Sequence, residues 1–95
     1  MKKLENKTTS IKISEDKFLK YSDLLGTVIN KPVREGLSVK ELKRDIAILN
    51  IAEDATDIME FSDEQYSYIK EEVENSKWTL RHQDIIDFVE YVSEA

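Results

Sequence analysis

The sequence predicts an α+β domain, predominantly α, with about four helices and two short strands paired in a small sheet. Three observations carry that expectation. Two capping boxes, Ser38 with Glu41 and Ser62 with Gln65, each stand at the head of an apolar-periodic run. Apolar residues recur at three- and four-residue steps over much of the chain, the period of a helix with one buried face. Alternation rich in β-branched residues is confined to two brief stretches, 8 to 13 and 56 to 61.

A chain of 95 residues suits one globular domain with one modest core. With 40% hydrophobic and 36% charged residues, it has apolar material enough for that core and a well-solvated surface. The expected organisation is a flexible basic arm over residues 1–7 followed by a single globular domain over residues 8–95. The arm, Met1-Lys2-Lys3-Leu4-Glu5-Asn6-Lys7, runs into Thr8-Thr9-Ser10 rather than an apolar stretch, so it does not read as a secretory signal. No stretch approaches the apolar length of a membrane span, and the chain has no cysteine. The expectation is a cytoplasmic protein without disulfides.

In chain order, Thr8 to Ile13 places Ile11 and Ile13 on one side of a short strand. Ser14 offers a helix N-cap, with Glu15 and Asp16 where the helix dipole favours negative charge. A helix over 15–29 is expected, with a stripe of Phe18, Tyr21, Leu25 and Val28 and with Gly26 inside it. Residues 30–36 hold the one Pro and the second Gly and form a connecting loop.

The element expected at the centre is the helix that starts at the Ser38 box and runs to about Ala55. Leu37 and Leu42 occupy the positions of a hydrophobic staple at its start. Val39, Leu42, Ile46 and Leu49 form the predicted inward stripe, and Ala47, Ile48, Ile51 and Ala52 widen it. Residues 56–61 then form the second strand, expected beside the first. The Ser62 box opens the next helix through Tyr66, Ile69 and Val73 to about 75–77. Trp78 marks a turn where a large ring can close over the core. A last helix over about 84–94 turns Ile85, Phe88, Val89 and Val92 inward.

Charge is divided along the chain. Residues 1–52 hold 11 Lys and Arg against 7 Asp and Glu, whereas residues 53–95 hold 3 against 13. The acidic half repels phosphate backbones and attracts basic surfaces at low salt. A helix-turn-helix reader of DNA needs a basic second helix after a short turn, and here the later helices are acidic. A nucleic-acid partner is therefore not expected.

Catalytic motifs are absent from the sequence. The single histidine, His82, sits beside Arg81, Gln83 and Asp84 with no nucleophile elbow, so a structural or surface role is expected. One His and no Cys cannot build a zinc site, and no acidic loop has the Gly and spacing of a calcium hand. Carboxylates are so abundant that their pairing carries no signal. No phosphate-binding or dinucleotide fingerprint is present, and no cofactor is expected.

The order of features resembles that of small uncharacterised proteins encoded by bacteriophages and prophages. The residues that carry the resemblance are Gly36-Leu37-Ser38 leading to Leu42 and Ile46-Ala47-Ile48-Leu49, Phe61-Ser62-Asp63-Glu64-Gln65-Tyr66 leading to Ile69, Trp78, and Ile85 with Phe88 and Val89. It spans roughly residues 18 to 92 and implies an accessory protein of virion assembly or host takeover.

The expected function is that of a small, acidic, non-enzymatic protein–protein interaction module whose partner is another protein or a second copy of itself. Candidate contact residues are Ile48 and Ile51, which fall off the main stripe of the central helix, and Glu71, Glu74, Asp87 and Glu90 on the last two helices. The alternative is an acidic mimic of nucleic acid that blocks a host nucleic-acid-binding protein.

Overall fold

The computed structural model describes all 95 residues. The elements run β1 (Lys2–Glu5), β2 (Thr8–Ser14), β3 (Lys17–Lys20), α1 (Tyr21–Ile29), α2 (Val39–Asp54), β4 (Ile58–Phe61), α3 (Asp63–Asn75) and α4 (Gln83–Glu94). The class is α+β with four helices, as expected. The strands are four rather than two, in two separate antiparallel pairs, so 53% of the chain is helical and 20% is strand.

The strand pairing departs from the expectation. Residues 8–13 do not pair with 56–61. Instead β4 pairs with β1, in the register Lys2 to Phe61, Lys3 to Glu60, Leu4 to Met59 and Glu5 to Ile58. The segment read as a frayed arm thus holds a strand, Lys2–Glu5, whose one apolar side chain, Leu4, is 1% exposed. Leu4, Met59 and Phe61 enter the core from one face of this ribbon while Lys3 and Glu60 stay in water, the alternation a one-sided sheet requires. The ladder continues past β1, where the Asn6 amide donates to the Asp57 carbonyl at 2.8 Å.

The helix expected over 15–29 starts at Tyr21. Residues Glu15 and Asp16 form the turn of a hairpin between β2 and β3, whose register slips twice between Thr8 and Ser14. Ser14 ends a strand rather than capping a helix. The Lys20 amide is instead taken by the Asp23 carboxylate at 2.8 Å, which covers one free donor at the start of α1. Phe18 lies beneath the Lys12 ammonium on the hairpin, and Leu19 turns toward the core.

Both capping boxes form as read. The Glu41 amide donates to the Ser38 hydroxyl at 3.2 Å and the Ser38 amide to the Glu41 carboxylate at 3.1 Å. The equivalent distances at Ser62 and Gln65 are 3.1 and 2.9 Å. The core unites Leu24, Leu25 and Val28 of α1, Ile48 and Ala52 of α2, Ile69 and Val73 of α3, and Phe88 and Val92 of α4 with the β1–β4 ribbon. Phe88 takes the Tyr21 ring edge-on at 5.1 Å and the Trp78 ring at 6.3 Å, so Trp78 closes over the core.

Candidate functional site

Helix α2 turns a different face inward from the one its apolar stripe predicts. Asp45, Ile48 and Ala52 are its buried residues. Val39, Leu42 and Ile46 stand 67%, 43% and 53% exposed, in line along the outer side. Ile48, expected at a contact surface, is fully buried in the core, and Ile51 is half-buried against it. The Ile48 assignment is therefore corrected.

The reason is electrostatic pairing. The inward half of α2 carries Arg44 and Asp45, which single-residue hydropathy assigns to water. Arg44 Nε bonds the Asp45 carboxylate at 3.1 Å, and the guanidinium lies 3.6 Å from the centre of the Tyr68 ring on α3. Burial, followed by the neighbouring Asp45 carboxylate, pushes the Tyr68 hydroxyl up to about 12. Each charge is met, so the side of α2 that looks charged in sequence turns inward and reaches α3 through Arg44, and the cleaner apolar stripe is left outside. A mixed face with an adjacent Arg-Asp pair opposite a pure aliphatic stripe was the signal available for this arrangement. It does not by itself choose between the two faces.

The outer face of α2 continues into an open groove of about 750 Å³ between α1 and α2, lined by Gly26, Thr27, Pro32, Leu49, Ala52 and Glu53 among others. Gly26 borders open space there, since a Cβ added to it would meet nothing within 4 Å. No buried side-chain nitrogen or oxygen anywhere in the protein lacks a hydrogen-bond partner, so no unsatisfied polar group is aimed into the groove.

The acidic candidates lie as exposed residues on α3 and α4. Glu71 and Glu74 are opposite the Ile69 and Val73 side of α3, and Asp87 and Glu90 opposite the Phe88 and Val92 side of α4. None of the four is in an ion pair. Asp87 accepts a hydrogen bond from the Gln83 side chain at 3.1 Å.

His82 caps α4. Its Nδ1 accepts the Asp84 amide at 3.1 Å, which requires the neutral tautomer with the proton on Nε2. The same Nδ1 lies 3.8 Å from the Asp84 carboxylate, a contact that becomes an ion pair only with a proton on Nδ1 and the cap bond broken. The Asp84 carboxylate is itself held by the Ser10 amide and then by the Ser10 hydroxyl, both at 2.7 Å, which lower its pKa. This tie joins the start of α4 to strand β2. No three His, Cys, Asp or Glu residues stand together as metal ligands, and no helix is long and apolar enough to cross a membrane.

Comparison with protein-family models, with curated proteins and with solved structures finds no match. The functional reading therefore stands on the geometry of the α2 face and of the acidic surface.

Proposed function

We propose that the protein is a non-enzymatic protein–protein interaction module that docks through the outer face of α2, in an accessory or assembly role of the bacteriophage or prophage kind. The observation that carries this reading is the aligned exposure of Val39, Leu42 and Ile46. Apolar residues exposed singly are ordinary, but three in one row on a helix form a docking ridge. His82 supports the non-enzymatic side, because its Nδ1 lone pair is committed to the helix cap.

A second reading has its own observation. Glu71, Glu74, Asp87 and Glu90 are exposed with no cationic partner, which suits an acidic surface that imitates nucleic acid before a basic groove.

Affinity capture from host lysate across a salt series separates the two. With α2 as the working face, capture survives salt and is lost on Leu42→Lys with Ile46→Lys. With the acidic surface as the working face, capture falls steeply as salt rises and is lost on charge reversal at Glu71, Glu74, Asp87 and Glu90.

A further inference from the structure

We infer that the occupant of the α2 ridge is a second copy of this chain, its α2 lying antiparallel to the first across a two-fold axis near Ile46. The inference rests on the reading of α2 as the docking face and names its partner. Helix α2 spans 16 residues, or about 24 Å at the usual rise. Its unpaired outer charges are sorted by sign along that length: Lys40 and Lys43 in the N-terminal half, Glu53 and Asp54 at the C-terminal end. All four are exposed, and none is in an ion pair within the protein.

Helical spacing puts Lys43 and Asp54 on one flank of the ridge, with Lys40 farther round the helix and Glu53 in line with the ridge itself. An antiparallel two-fold lays each flank against the same flank of the other copy in reverse order. Lys43 of one copy then shares a flank with Asp54 of the other, about five residues along it, once at each end. A parallel pair lays this flank against the opposite flank of the other copy, so Lys43 and Asp54 of the two copies do not meet. The helix dipoles favour the antiparallel order as well. Along the ridge itself, Val39, Leu42 and Ile46 recur at the three- and four-residue steps of a coiled-coil seam.

A seam of one helix face is smaller than the roughly 800 Å² per partner of a standard interface, so the association is reversible and depends on concentration. Leu49 and the groove beside it extend the contact toward α1.

The absence of cysteine makes the geometry directly testable, because any single cysteine introduced can form a disulfide only between copies. Under mild oxidation Ile46→Cys is expected to cross-link to its own copy. Val39→Cys is not, since its two positions lie about 20 Å apart in the antiparallel pair, against the roughly 7 Å limit for a disulfide. A mixture of Val39→Cys and Glu53→Cys chains is expected to cross-link.

Sedimentation equilibrium from about 10 μM to 1 mM is expected to show a dimer that dissociates on dilution, weakened at least about tenfold in Leu42→Lys with Ile46→Lys. Both changes place a good helix former at an exposed site, and circular dichroism confirms that the variant is folded. Self-cross-linking of Val39→Cys as readily as Ile46→Cys overturns the antiparallel arrangement. A wild-type monomer at every concentration overturns the second copy as partner. If that monomer still captures a lysate protein in a manner that needs Leu42 and Ile46, α2 remains the docking face and only the partner changes. Capture indifferent to those residues overturns both readings.

Discussion

Asp84 and Tyr68 show how single polar residues set this protein's response to pH. Two hydrogen bonds from Ser10 lower the Asp84 pKa, so the folded state prefers the carboxylate. A depressed folded pKa contributes stability that is full above the unfolded value, about 3.9, and is lost as pH falls through the folded value. Asp84→Asn is therefore expected to melt at a lower temperature than wild type at pH 7, with the gap closing toward pH 2. Thermal melts of the two proteins over that range check it; a gap that persists in acid would mean that the carboxylate charge is not what holds β2. Tyr68 works in the opposite direction. Its pKa, raised to about 12, exceeds the unfolded value of about 10, so its contribution is full below pH 10 and fades between about 10 and 12. Urea titrations from pH 8 to 11.5 are expected to show a shallower alkaline loss for Tyr68→Phe. Some slope remains in the variant, because Tyr21 and Tyr66 are also raised by burial. The same residue scale explains why the inward face of α2 was hidden in the sequence. Hydropathy values a residue alone, whereas Arg44, Asp45 and Tyr68 become compatible with burial only as a trio joining two helices. Glu71, Glu74, Asp87 and Glu90 were legible as surface residues because nothing in the fold offers them such partners.

Helix starts were the most legible elements, and the reason is that their determinants are local. Ser38 and Glu41, like Ser62 and Gln65, satisfy each other's amides within one turn, so the pattern needs no information from elsewhere in the chain. Ser62→Ala is expected to cost about 1 kcal/mol, the usual loss of a serine cap, as a lower urea midpoint with an unchanged slope. Gly26 gives the opposite expectation. It lies inside α1 with open space where its Cβ would project, so helix propensity alone decides, and Gly26→Ala is expected to stabilise by about 0.5–1 kcal/mol. A loss of stability on that change would show that the α1–α2 groove closes to narrower dimensions in solution. Strands β1 and β3 were illegible for the converse reason. Lys2-Lys3-Leu4-Glu5 offers one apolar residue, and its strand state comes from β4, more than fifty residues away. At β3, local cap chemistry at Ser14, Glu15 and Asp16 fits a helix start and a hairpin turn equally. The choice falls to the pairing of Lys12 with Phe18 and to the seat of Leu19 on the core.

At the scale of the molecule, the N-terminal residues tie together α1, α4 and the segment before β4. Leu4 is 1% exposed in the core, and the Glu5 amide donates to the Tyr91 hydroxyl of α4 at 2.8 Å. Asn6 takes the Ser22 amide at the start of α1 and gives its side-chain NH to the Thr56 carbonyl before β4, at 2.8 and 2.9 Å. The Lys7 carbonyl receives the Tyr21 amide at 2.9 Å. Removal of residues 1–7 therefore strips the β1–β4 ladder, opens a cavity at Leu4 and takes the Asn6 side chain from the Ser22 amide and the Thr56 carbonyl. The cavity alone is worth about 2–5 kcal/mol by analogy with leucine truncations, against about 5–15 kcal/mol of total stability for a domain of this size. With the lost ladder and hydrogen bonds added, the shortened chain is expected to lose its cooperative thermal transition and the dispersion of its amide resonances. Leu4→Ala in the full chain is expected to retain a cooperative transition at a clearly lower midpoint. A shortened chain that melts like wild type would return these residues to the status of a frayed arm. It would also mean that β4 holds its place on α2 and α3 without a paired strand, in spite of its exposed backbone edge.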